Sequence, residues 1–274
     1  VRLENVPSAR FSGCRFQSNQ AASDDKGGAI HATGAGSLEL VDVDFELNTA
    51  DQGGAVHRDG GSLTLTGGAF SGNSARLGGA VSTKDAALVA DGATFTGDSA
   101  TSRGGALHLD ADASSLVNVT IDGATATTEG GGLYVRKSGH VLTLETSSVT
   151  TSTAQRGGAL FVDADTEVEV TGSDLLGNTA TLGEADGGAI FSLGDLTVEQ
   201  SLFCDNAASD RGGSIFGSDG SVIVRSSGFA GNSAATFGAA IIVGTPSLSV
   251  TSSSFIGNTG PGNLRIGFSN DVSI

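Results

Sequence analysis

Short runs of alternating apolar and polar residues recur along the chain, as in Ser62-Leu63-Thr64-Leu65-Thr66, Glu167-Val168-Glu169-Val170 and Ser247-Leu248-Ser249-Val250. Period-two alternation of that length predicts half-buried strands, and no stretch carries the 3.6-residue period of a helix. Two further apolar positions keep phase with these runs. One closes a four-residue phrase, Gly-Gly-small-aliphatic, that starts at Gly27, Gly53, Gly78, Gly104, Gly130, Gly157, Gly187 and Gly212 and survives as Gly238-Ala239-Ala240-Ile241. The other opens Phe-x-x-Asn, found as Phe16…Asn19, Phe45…Asn48, Phe70…Asn73, Phe203…Asn206, Phe229…Asn232 and Phe255…Asn258. Phe95…Asp98 and Leu175…Asn178 are near copies, whereas Ile121…Ala124 and Val149…Ser152 are degenerate.

Successive Gly-Gly phrases start 26, 25, 26, 26, 27, 30, 25 and 26 residues apart. A fixed period in the twenties marks a repeat architecture whose units bury their apolar faces only against neighbours. Each period reads as a strand after Gly-Gly, a turn, a second alternating strand, a bend, a third short strand carrying the Phe, and a polar corner. Three strands in ~26 residues describe one coil of an all-β parallel β-helix. About ten such coils, ~48 Å at the rung spacing, make residues 1–274 a single domain.

Like positions then stack. Inward columns are expected from Ile30 through Val56, Val81 and Leu107 to Ile241, from Leu40 through Leu65 and Leu144 to Val250, and along the Phe positions. The glycines at Gly27-Gly28, Gly53-Gly54, Gly78-Gly79 and Gly104-Gly105 fit a sharp corner needing positive φ or close backbone approach. Asn at the other corner can bond the Asn one rung away. Ser147, Ser173, Ser201, Ser227 and Ser253 form another column, which reads as small residues filling a tight bend. At the two ends, Leu3, Val272 and Ile274 look like parts of incomplete coils without polar caps, the expectation for a piece of a longer chain.

Thirty acidic against 14 basic residues give a formal charge of −16, which disfavours nucleic acid and anionic membranes as partners. No 18-residue apolar stretch predicts a membrane span. The chain begins at Val1 and shows no signal peptide, as expected of a mature or excised piece. Cys14 and Cys204 lie seven repeats apart, ~30 Å or more at the rung spacing, so they cannot pair with each other. They are free thiols or pair outside this sequence.

Gly-Gly-Ala-[Ile/Leu/Val] in phase with Phe-x-x-Asn resembles the repeat pair of the chlamydial polymorphic membrane proteins and of similar bacterial adhesin-like proteins. The resemblance covers nearly the whole chain. It implies a right-handed parallel β-helix passenger, exported by an autotransporter-type route to the outer-membrane surface, with adhesion as its role. The chain departs in having no C-terminal β-barrel segment, sparse Cys and no Phe-x-x-Asn in two successive coils.

Candidate chemistry is thin. The position after the inward aliphatic holds His31, His57, Ser82, His108, Tyr134, Phe161, Phe191, Phe216 and Ile242 and is expected to face outward. An exposed stripe of this kind would be a partner-binding face, unless the residues tuck under a corner loop. His31 and His57 could approach one metal, but no third phased ligand completes a zinc site. Glycosidase chemistry needs a carboxylate pair. Glu39 and Glu169 are five rungs apart, and no base recurs in phase beside Asp42 and Asp44. Asp110-Ala111-Asp112 and Asp163-Ala164-Asp165 could touch Ca²⁺, yet Asp is common in turns and the calcium-binding nonapeptide is missing. Two lengthened corners, Gln20–Lys26 and Thr179–Asp186, are acidic through Asp24, Asp25, Glu184 and Asp186. They are recognition loops suited to a basic partner, or ordinary solvated loops.

The expectation is therefore a non-enzymatic, extracellular, cell-surface β-helix without cofactor, catalytic residue or metal, contacting a protein or glycan of a host or neighbouring cell. A polysaccharide lyase or glycoside hydrolase, and a surface-layer or stalk element, are the alternatives.

Overall fold

A computed structural model describes the chain except residues 23, 24, 182, 184, 245, 246, 263, 267–271 and 274, and except the side chains of 264–266, 272 and 273. Asp24, Glu184 and Ile274, named above, lie outside the described residues. The fold is all-β: a parallel β-solenoid of about ten turns with about 26 residues between stacked strands. Among the described residues no helix is long and apolar enough to cross a membrane.

Four sheets run along the solenoid. Sheet A, of 11 strands, follows the Gly-Gly phrases and includes Ile30–Thr33, Val56–Asp59, Val81–Lys84 and Leu107–Asp110. Sheet B, also of 11, holds the alternating runs, among them Ser62–Thr66 and Glu167–Thr171. Sheet C, of 10, carries the Phe positions in strands such as Ala69–Ser71 and Leu202–Cys204. The polar corner expected after the Phe is instead a fourth, seven-stranded sheet D, running from Ser74–Leu77 and Ser99–Arg103 to Ser233–Ala234. Its buried Ala75, Ala100, Ala126 and Ala154 need small side chains, and its Ser/Thr residues leave the backbone free to pair along the axis.

In-register stacking builds the core the periodicity predicts. Ile30, Val56, Val81, Leu107 and Ile241 are buried, as are Leu40, Leu65, Leu144 and Val250. Phe45, Phe70 and Phe95 stack face to face with centroids 4.8 and 4.7 Å apart, and Phe203, Phe229 and Phe255 with 4.9 and 5.0 Å. Ile121, Val149 and Leu175 fill the rungs between. Each such side chain contributes on the order of 1.5–3 kcal/mol.

The two glycines of a phrase do different work. Gly53 adopts φ 61°, a left-handed conformation, and a Cβ there would also overlap Val56 O in its own turn. Gly54 has no such φ, but a Cβ there would overlap Gly79 O and sit 2.6 Å from Ser74 O. The second glycine is thus the point where sheet D presses on the start of sheet A. Ala55 N and Val56 N then both donate to Ala80 O, at 2.9 and 3.0 Å, a bulge that turns the chain into the strand.

At the corner between sheets C and D, Asn48 Nδ2 donates to Asn73 Oδ1 at 3.0 Å, and Asn206 Nδ2 to Asn232 Oδ1 at 3.0 Å. Each side-chain oxygen also accepts from the backbone N–H of the preceding coil, as Asn73 Oδ1 does from Asn48 N at 3.0 Å. The Ser column forms a matching ladder at the B–C bend, where Ser147 N donates to Ser173 Oγ and Ser173 N to Ser201 Oγ, at 3.0 and 3.1 Å.

Candidate functional site

The column after the inward aliphatic does not face solvent. His57, Ser82, His108, Tyr134, Phe161, Phe191, Phe216 and Ile242 are all buried, and only His31 keeps partial exposure. The expectation of an exposed partner-binding stripe over His31, His57, His108, Tyr134, Phe161, Phe191 and Phe216 is thereby corrected. The cause is geometric. The Gly-Gly bulge folds the preceding corner back over the outer side of sheet A, so a side chain pointing away from the main core enters a second one.

That second core is a stack. Centroids are 5.2 Å apart for His108–Tyr134 and for Tyr134–Phe161, then 5.1 Å for Phe161–Phe191 and for Phe191–Phe216. Its cover is a column with no expected role, the residue immediately before each Gly-Gly. From Arg103 it alternates in charge through Glu129, Arg156 and Asp186 to Arg211. Arg103 pairs with Glu129 at 2.8 Å, Arg156 pairs with Glu129, and Arg211 pairs with Asp186 at 2.6 Å. The same guanidinium groups lie over rings: Arg103 is 5.0 Å from the Tyr134 centroid, Arg156 5.1 Å from Phe191, and Arg211 4.6 Å from Phe216. Burial pushes the Asp186 carboxyl up, against the pull of Arg211. Burial, and then the Asp163 carboxylate that accepts its proton at 2.8 Å, push the Tyr134 phenol up.

The histidines sit at the other end of this stack. His31 and His57 meet edge to face, centroids 5.4 Å apart. Among the described residues no group of three or more His, Cys, Asp or Glu is placed to hold a metal ion. Both ring nitrogens of His57 and of His108 are buried without a hydrogen-bond partner, and burial pushes each imidazole down to about 3.

The remaining candidates are spent on architecture. Asp44 accepts from Ala69 N at 3.2 Å, and Asp42 supplies a turn at φ 49°. Asp110 and Asp112 are engaged by Arg136 and Lys137, and Asp163 by Tyr134. Glu39 and Glu169 are separated by Thr64, Val89, Ser115 and Thr143 in strict register. Cys14 and Cys204 are free and partly exposed.

Of several open grooves, one of about 480 Å³ lies at the corner between sheets A and B. Its lining includes His140, Leu193 and the exposed acids Asp165, Glu167, Asp195 and Asp219, drawn from successive coils. Asp195 Oδ1 is held by Ser221 N and Oγ at 2.8 and 2.6 Å. His140 forms the floor, bonded through Nδ1 to Arg136 O and through Nε2 to Ser114 Oγ. On the outer faces, Val89 (48% exposed), Leu202 (40%) and Ile256 (67%) stand in water. Compared with protein-family models, characterised proteins and solved structures, the chain matches none.

Proposed function

We propose that the chain is a non-enzymatic extracellular β-helix that acts as a bacterial cell-surface adhesin, binding a protein or glycan of a host or neighbouring cell. The observation that carries this reading is where the polar chemistry goes. The buried Asn and Ser columns are committed to rung-to-rung ladders, and the buried carboxylates of Asp98 and Asp186 to Asn73 and Arg211. The accessible groups form an open acidic groove and flat outer faces with scattered apolar residues. A glycoside hydrolase would need a carboxylate pair set for acid–base work. The groove does gather Asp165, Glu167, Asp195 and Asp219 over His140, so polysaccharide turnover is the rival outcome the assays must read. The resemblance to polymorphic membrane proteins supports the surface location and the autotransporter-type route. Asn and Ser ladders that each tie several successive coils together support a stalk role as the second reading.

Two assays on the purified chain test the proposal: retention on intact host and bacterial cells and on a glycan array, and turnover of uronic-acid and neutral polysaccharides. Saturable binding without turnover supports it. Turnover abolished by Asp42→Asn with Asp44→Asn would overturn it.

A further inference from the structure

Four buried imidazole nitrogens without partners are unusual, because burying a polar group without a hydrogen bond costs free energy. They belong to two side chains at one place, His57 and His108, two rungs apart with Ser82 between them in register. Ser82 is also where the ring stack is broken. His57 has a ring neighbour on the His31 side, His108 has one on the Tyr134 side, and Ser82 offers neither a ring. The corner above lies directly on this break: a Cβ on Gly78 would stand 3.1 Å from His108 Cβ.

The charges around the break share one sign. Lys26, His31, His108 and Lys84 face His57, the last from the neighbouring sheet A strand. Arg136 faces His108 from the next sheet A strand, and Arg76 and Arg103 face it from sheet D. The nearby carboxylates are taken by these same cations: Asp51 by Arg76, Asp59 by Lys84, Asp110 by Arg136 and Glu129 by Arg103. Among the described residues, an imidazolium formed here would have no hydrogen-bond acceptor and no carboxylate among the groups acting on it.

We propose that the corner over His57, Ser82 and His108 is an acid-operated latch: protonation of the two imidazoles drives them out of the second core and lifts the Gly53–Val56, Gly78–Val81 and Gly104–Leu107 segments from sheet D. The sign follows from the burial. A histidine whose pKa in the closed state lies below its ordinary 6.5 stabilises closure fully above 6.5, and loses that contribution as the pH falls toward the closed-state value. Each imidazole held near 3 shifts the equilibrium toward opening about 30-fold at pH 5. The device is independent of the adhesion reading.

Hydrogen exchange on the full chain at pH 7.5 and pH 5.0 tests it, with sheet B amides of the same coils (Leu63–Leu65 and Leu88–Ala90) as internal reference. The corner amides should lose at least about 30-fold protection relative to sheet B at pH 5.0, the single-imidazole shift. The variant His57→Phe with His108→Phe, which keeps rings but cannot titrate, should lose none. Equal relative protection at both pH values, or the same loss in the variant, would overturn the latch. A titration of the wild-type imidazole NMR signals decides the matter even if the variant does not fold. The latch requires both rings to stay neutral while the corner is protected and to charge as it opens. Titration near pH 6.5 with the corner still protected contradicts it.

Discussion

Asn73 Nδ2 donates to Asp98 Oδ1 at 2.9 Å, and with that bond the first asparagine ladder stops. The position one coil on is Ala124, and Asp98 Oδ2 is buried with no partner. Desolvation pushes this carboxyl up to about 7, against the two hydrogen bonds from Asn73. The ladder resumes where Ser152 N donates to Asn178 Oδ1 at 3.0 Å, so two coils run without it. The inner phenyl stack lapses over these two coils and the next, at Ile121, Val149 and Leu175, where the outer column carries His108, Tyr134 and Phe161. The two cores compensate for each other along the rod.

Asp98→Asn should stabilise the protein in a pH-dependent way. Because the folded pKa is raised, the Asp98 contribution is fully present below about 4 and is lost as pH rises through about 7. The neutral amide escapes that loss. Its advantage should reach on the order of 2–4 kcal/mol at pH 8 and shrink toward zero near pH 4. Urea denaturation at both pH values checks it.

Two glycines, one in a Gly-Gly phrase and one in the Phe95…Asp98 corner, separate two distinct penalties. Gly54→Ala places a methyl against the backbone of Gly79 and Ser74 and should cost more than about 3 kcal/mol or prevent folding. Gly97→Ala meets nothing within 4 Å but keeps φ at 63°, so strain alone should cost about 1–2 kcal/mol. Denaturation midpoints of the two variants separate the effects.

Phe161→Ser removes the middle of the second core and leaves Arg156 without one of its two rings. A loss of at least about 3 kcal/mol is expected, with any partner binding retained by the fraction that stays folded. Calorimetry alongside a binding assay reads both quantities.

Asn206→Ala breaks the second ladder at a residue that donates to Leu175 O and Asn232 Oδ1 and accepts from Asn178. Buried groups on both neighbours lose their partners, so about 2–4 kcal/mol should be lost. Asn258→Ala, nearer the end and partly exposed, should cost less. Comparing their denaturation curves tests whether ladder energy scales with burial.

The parts legible in the sequence are those where one residue type repeats at one position. The Gly-Gly starts, the Phe stack and the Asn and Ser ladders could be read because stacking makes each copy meet its own kind. For His57 to Ile242 the sequence left two outcomes open, an exposed stripe or residues tucked under a corner, and the burial of the column shows the second. Alternation tells which side of a strand a residue occupies, but not whether another segment covers that side. Two signals pointed to the cover: the alternating charges Arg103, Glu129, Arg156, Asp186 and Arg211 before the glycines, and the small residues after Asn in Asn73-Ser74-Ala75 and Asn232-Ser233-Ala234. The acidic groove was hidden for a different reason. Glu167 and Asp195 do share a column, but Asp165 lies in the same coil as Glu167 and Asp219 stands outside that register, so no single column displays all four.

The most direct test of the account measures binding by a groove variant, Asp165→Asn with Glu167→Gln, Asp195→Asn and Asp219→Asn, against wild type on cells that retain the protein. The account predicts unchanged thermal unfolding and at least about a tenfold loss of affinity, which corresponds to 1.4 kcal/mol. Full retention of binding by a folded variant would contradict the groove as the contact surface, and turnover of a bound polysaccharide by the wild type would contradict the non-enzymatic reading itself.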